Sequence, residues 1–140
     1  MNRVGIVLGR LTPGVGFPRD TWPEEFQIAS RVGYSCIEWL DDAVGADINP
    51  LNTPAGQARI REQGAASGLA VPSVCAEWFV ANPFVRVPAA EQAMRLSRLR
   101  ELMGRCAGAG IGRIVLPCLG QGCITTNYDE MLMADRKSVV

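Results

Sequence analysis

The chain has 140 residues, 48% of them apolar and 20% charged, with 14 basic and 14 acidic side chains, the profile of one globular domain. That neutral balance excludes a strong electrostatic footprint for nucleic acid or an acidic membrane surface. Histidine is absent from the sequence, which excludes Ser/His/Asp and Cys/His triads, His-ligated zinc and any imidazole acid or base carried by this chain.

Chemistry must therefore use carboxylates, thiols, guanidinium groups or backbone. No apolar run approaches the roughly 18 residues of a membrane-spanning helix. The N-terminus, MNRVGIVLGR, enters a strand-like run with no secretory pattern, so a cytoplasmic protein is expected. Five cysteines at irregular spacing predict reduced thiols rather than a disulfide framework, most of them small core residues.

Val4 to Leu8 form a short apolar run that predicts a first strand, and the Gly- and Pro-rich stretch to Asp20 predicts a long loop. Thr21, followed by Trp22, Pro23 and Glu24, predicts an N-cap, and Phe26, Ala29 and Val32 continue a helix to Gly33. Cys36 to Leu40 predict a second strand. The loop after it ends at Thr53-Pro54, a cap followed by proline at the first helical position. That second helix runs to about Ser67 and closes at Gly68. Val71 to Ala76 predict a third strand, and Trp78 to Pro83 the loop leaving it.

From Pro88 the longest helix begins, with Leu96, Leu99, Met103 and Cys106 on one face, and it ends in the Gly-rich Cys106 to Gly112. Arg113 to Pro117 predict the fourth strand, and a further helix starts near Tyr128 and is cut short. The glycines Gly33, Gly68 and Gly110 each close a helix just before a strand, so the chain repeats a βα unit. Such units imply an α/β fold with a parallel sheet. A doubly wound sheet is one solution. The other is about half of a (β/α)8 barrel, which typically takes about 250 residues.

Five segments in order, GIVLGRLTP, GYSCIEW, NPLNTPAG, VPSVCAEWF and GRIVLPCLGQG, resemble the sugar-phosphate isomerase/epimerase family. They are most similar to its L-ribulose-5-phosphate 3-epimerase and hexulose-6-phosphate isomerase branch, the xylose-isomerase-like barrels. The resemblance covers nearly all of residues 4–127. It implies that this chain is the N-terminal half, about four βα units, of a TIM barrel that acts on a sugar or sugar phosphate. In the family one glutamate removes a proton next to a carbonyl, a divalent metal holds the enediolate oxygens, and a second glutamate returns a proton. The metal ligands come from later strands, two Glu, an Asp and a His. The resemblance therefore implies a divalent metal for the full-length enzyme, no metal ligand and no catalytic residue in this chain, and inactivity of the chain by itself.

The closing residues, ADRKSVV, have a further reading. The last six are encodable as GAT CGG AAG AGC GTC GTG, a widely used short-read sequencing adapter whose next triplet is the stop TAG. Residues 134–140 are accordingly expected to be a non-native tail, residues 1–133 a partial barrel, and the native gene to continue past Met133.

Strand alternation puts Cys36 and Glu38 on one face, with Ser73, Cys75 and Glu77, and puts Ile37, Val74 and Ala76 on the other. The polar set is expected to face the barrel axis and the apolar set the helices. Active sites of barrels lie at strand C-termini. The resemblance therefore makes Arg10, Glu38, Trp39, Glu77, Trp78, Cys118 and Gln121 the candidate substrate-contacting residues.

Glu38 and Glu77 on neighbouring strands can split into an acid and a base, or pair with Arg10 or Arg113 as structural ions. Trp39, Trp78 and Phe79 form either an apolar wall against the sugar or core packing. Cys118 and Cys123 suggest a thiolate metal site that no CxxC spacing supports. Gly120-Gln121-Gly122 reads as a plain turn before it reads as an anion cradle. Arg95, Arg98, Arg100 and Arg105 suggest a phosphate patch, against the plainer reading of a solvated outer helix face. The competing function is a non-catalytic half-barrel module that assembles by dimerising, and a homo-oligomer is compatible with either reading.

Overall fold

The computed structural model describes residues 3–123 together with 132, 133 and 136. The helix start expected near Tyr128, and all of the 134–140 tail except Arg136, lie outside the described residues. Four strands, β1 (Gly5–Val7), β2 (Cys36–Leu40), β3 (Ser73–Cys75) and β4 (Arg113–Val115), alternate with helices α1 (Trp22–Val32), α2 (Pro54–Ser67), α3 (Trp78–Ala81) and α4 (Ala89–Ala109).

The strands pair in the order β1-β2-β3-β4 and every pairing is parallel. A doubly wound sheet reverses its direction of growth at a switch point, and this order contains none. Right-handed crossovers that always step the same way keep their helices on one face of the sheet. The packing of α1 on α2 and of α2 on α4 follows from this. The fold is therefore α/β with a progressive four-stranded parallel sheet.

The helix boundaries follow from the chemistry of their ends. Thr53 Oγ1 accepts a hydrogen bond from Gly56 N at 3.1 Å, with Pro54 in the first helical position. Gly33, Gly68 and Gly110 each end a helix in the left-handed conformation that L side chains resist. Thr21 is the exception. Its hydroxyl makes no capping bond and lies 2.8 Å from that of Thr12. Trp78 to Ala81, expected as loop, form the short helix α3, whose entry is fixed by Trp78 N donating to the Asp41 carbonyl.

The core lies between the helices and one face of the sheet. Ile37, Trp39, Val74 and Ala76 are fully buried there, against Phe26, Ala29, Ile60 and Leu102. Two residues that share the apolar helical spacing turn outward: Val32 is 66% and Met103 46% exposed, and Leu102 takes the inward place beside Leu99 and Cys106. Trp39 is the centre of an aromatic cluster, with ring centroids at 5.3 Å from Trp22 and 5.7 Å from Phe17. Its indole N–H donates to Asn49 Oδ1 at 3.0 Å, and Asn49 in turn donates to the Leu40 carbonyl at 2.8 Å. The buried polar groups of this cluster are thereby satisfied.

Three of the four arginines of α4 are drawn inward rather than forming the solvated face or the phosphate patch read from the sequence. Arg95 is buried, donating to the Pro83 carbonyl and pairing with Glu91 at 2.7 Å. Arg98 pairs with buried Asp41 at 3.0 Å and lies 4.4 Å over the Trp78 ring. Burial nonetheless raises the Asp41 pKa above its usual value, the loss of water outweighing the attraction of Arg98. Arg105 donates to Asn52 at 2.8 Å. Arg95, Arg98 and Arg105 thus fasten α4 to the loops after β2 and β3; Arg100 is exposed. No described helix is long and apolar enough to cross a membrane.

Two glycines make opposite predictions. A Cβ at Gly56 would stand 1.9 Å from the Pro50 carbonyl oxygen, whereas one at Gly104 in α4 would meet nothing within 4 Å. Gly56→Ala is expected to lower stability by about 1–3 kcal/mol, and Gly104→Ala to raise it by about 0.4–1 kcal/mol. Urea denaturation of the two variants checks both signs.

Candidate functional site

The sheet face opposite the core carries the polar side chains that alternation assigned to it. Cys36, Glu38, Ser73, Cys75 and Glu77 are all half-buried, in contrast to the fully buried residues between them. Ser73 Oγ donates to Glu38 Oε2 at 2.5 Å, a charge-assisted bond that fixes the carboxylate across the β2–β3 boundary. The Cys75 thiol lies in the field of Glu38, Glu77 and Arg10. Its pKa is pushed up to about 11, first by burial, then by Glu38 and Glu77, against a smaller opposing effect of Arg10. Cys75 is therefore an uncharged thiol at neutral pH and no nucleophile.

Beyond this strip, at the C-terminal ends of the strands, a cavity of about 500 Å³ opens, within the range of roughly 300–1,000 Å³ of small-molecule sites. The end of β1 contributes Leu8 and Arg10, and the end of β2 Leu40, Asp42 and Val44. Glu77 and Val80 enter from β3 and α3, and Leu119 from beyond β4. Arg10 and Glu77 are thus brought together at one mouth. No ion pair within 4 Å joins Glu38 or Glu77 to Arg10 or Arg113 among the described residues.

The loops that shape this mouth hang on two buried carboxylates that the motif reading passed over. Glu25, fully buried on α1, accepts from Gly9 N at 2.6 Å, Leu11 N at 3.3 Å, Thr12 N at 3.0 Å and Thr12 Oγ1 at 2.7 Å. This lets the chain turn at Gly9, which has a φ of +88° and would bring a Cβ to 2.8 Å from the Gly16 carbonyl. Asp42 accepts from Phe17 N at 2.8 Å and Gly45 N at 2.7 Å, tying the β1 loop to the β2 loop. A signal for Glu25 existed: it sits beside Phe26 and between Trp22 and Ala29 on the inward face of α1, where an acid is tolerated only if its oxygens are satisfied.

Other candidates lie elsewhere. Trp39 is on the helix side of the sheet, 0% exposed, so its expected place in the substrate wall is corrected to the core. Trp78 packs edge-on against Phe79 and lies under Arg98 of α4; it faces the helix layer, not the cavity. Phe79 stacks on Phe84 in the core at 4.8 Å. Glu38 lies on the strip below the cavity rather than in its wall.

Cys118 and Gln121 flank the cavity residue Leu119 without lining it. The Cys118 thiol donates to the Leu116 carbonyl at 3.6 Å, and burial, then Cys123, raise its pKa. The Gln121 carbonyl receives Arg86, and Gly120–Gly122 form a single 3₁₀ turn. Of the five cysteines only Cys106 is fully buried and the other four are half-buried, which corrects the expectation that most are core residues. No three His, Cys, Asp or Glu among the described residues are grouped to hold a metal ion.

Glu25→Ala is expected to destabilise the chain by at least about 2 kcal/mol, because it strands three backbone donors in a loop that cannot turn them all to water. Thermal or urea unfolding measures this. Cys75 is expected to resist iodoacetamide at pH 8 and to gain reactivity only as the pH approaches 11, which mass-spectrometric mapping of labelled thiols will read.

No family model matches the chain, and no curated protein matches it.

Proposed function

We propose that the chain forms the first four βα units of a (β/α)8 barrel that isomerises or epimerises a sugar or sugar phosphate, and that it contributes one wall of the substrate pocket. The observation that supports this reading is the progressive parallel order β1-β2-β3-β4 with Arg10 and Glu77 at one concave mouth. A barrel places its chemistry at that end of its strands.

The reaction proposed is removal of a proton next to a carbonyl, passage through an enediolate, and return of a proton. Within it the residues of this chain bind and orient. Glu77 accepts hydrogen bonds from sugar hydroxyls, and the Arg10 guanidinium donates to a carbonyl or hydroxyl oxygen. Glu38, held by Ser73, keeps the floor of the site anionic. Among the described residues no three His, Cys, Asp or Glu are grouped to hold the divalent ion that the resemblance implies for a full-length enzyme.

A second reading, a non-catalytic half-barrel that dimerises, is favoured by the sheet margins. Strands β1 and β4 each pair on one side only among the described residues. An apolar cleft of about 320 Å³ lies beside β4, lined by Leu99, Met103, Ile111, Ile114 and Leu116. Open edges of this kind invite pairing.

Three measurements separate the readings. Sequencing the source gene past the codon for Met133 is expected to find the frame continuing, with Glu, Asp, His and Glu at successive strand ends; a native stop after Val140 favours the dimer. Ketoses incubated in D2O with the 140-residue chain are expected to show no exchange of the hydrogen next to the carbonyl, and exchange only with the extended chain. Arg10→Met and Glu77→Gln are each expected to weaken sugar binding about tenfold, roughly 1.4 kcal/mol, with the melting temperature unchanged, because among the described residues neither side chain is held in an ion pair.

A further inference from the structure

We infer that the end of the substrate held by this wall is an uncharged, hydrocarbon-bearing terminus, as in a deoxy sugar, rather than a phosphate or a fully hydroxylated chain end; the inference rests on the sugar reading above. The observation is an asymmetry within the cavity. Its polar side chains are Arg10, Asp42 and Glu77, and both Asp42 oxygens are already engaged by Phe17 N and Gly45 N. The rest of its rim is apolar, and three of its residues are unusually exposed: Val15 at 92%, Val44 at 71% and Leu119 at 61%.

These three come from three separate loops, after β1, β2 and β4, and converge on one opening. Exposed large apolar groups that cluster mark a binding surface rather than chance. A sugar hydroxyl placed against them loses water and gains no partner, whereas a methyl group gains by leaving water. Charge points the same way. A dianionic phosphate would meet one guanidinium and two carboxylates, a net repulsion. Arg10 and Glu77 instead suit the neutral, hydroxylated part of the same molecule, one as donor and the other as acceptor.

The test is an NMR titration of the 140-residue chain, following the methyl signals of Val15, Val44 and Leu119. Four probes are used: L-rhamnose, L-mannose, which carries one more terminal hydroxyl, D-ribulose 5-phosphate, and cyclohexanol as a hydrocarbon without sugar character. L-rhamnose is expected to bind about tenfold tighter than L-mannose and the phosphate weakest of the three sugars. Val44→Asn, a change at an exposed position, is expected to abolish the preference for L-rhamnose without unfolding the chain. Equal or reversed affinities for the two hexoses, or a preference untouched by Val44→Asn, overturn the inference. Tightest binding of the phosphate overturns it and leaves the sugar reading standing. Binding of cyclohexanol alone, or of no probe, overturns both.

Discussion

A carboxylate buried in a helix holds the mouth of this protein open. Glu25 takes the backbone N–H groups of Gly9, Leu11 and Thr12, groups that a loop crossing the top of a sheet cannot give to a neighbouring strand. An ionised carboxylate out of water is costly unless each oxygen is paired. Here the loop and the helix solve each other's problem. Asp42 repeats the arrangement one strand along, gathering Phe17 and Gly45. Arg10, Val15 and Val44 project from the loops so held, and their convergence at one cavity depends on both acids.

The opposite side of the sheet is organised by Trp39 and by α4. The indole fills the space between α1 and the β2 loop while Asn49 takes its N–H, so the cluster is both dense and satisfied. Around the rim, Asp41, Arg98 and Trp78 join three elements through one guanidinium. This division leaves one sheet face for packing and the other for solutes. The strip from Glu38 to Glu77 then stays polar at no cost to the core.

Much of this was legible in the residues, and the parts that were not share a cause. The strand Cys36–Leu40 and the helix opened by Thr53-Pro54 were readable because local chemistry settles them: an apolar run between turn residues, a hydroxyl that finds an amide, and glycines at left-handed ends. The alternation that puts Glu38 and Ser73 on the solvent-facing side is equally local. Trp39 is not placed by sequence because an aromatic residue at a strand end suits a ligand wall and a core alike, and only its neighbours Trp22, Phe17 and Asn49, distant in sequence, decide. The arginines of α4 failed for the same reason. Their partners, Asp41, Asn52 and the Pro83 carbonyl, lie in other elements, and helical periodicity knows nothing of them. Thr21 has the right type for a cap, but its hydroxyl is drawn into the Glu25 network through Thr12.

The strand order has a consequence for how such a chain comes to be made. Because β1, β2, β3 and β4 lie side by side in the order in which they are synthesised, no strand has to wait for a later one to be inserted beside its predecessor. Each completed unit presents a finished edge to the next, and contacts between neighbours close loops of one helix rather than of the whole chain, which keeps the entropy of closure low. A fold built this way can grow from a ribosome as it is extended. It can also be joined, shortened or duplicated in whole units, since a cut after any helix severs one pairing and leaves every earlier one as it was.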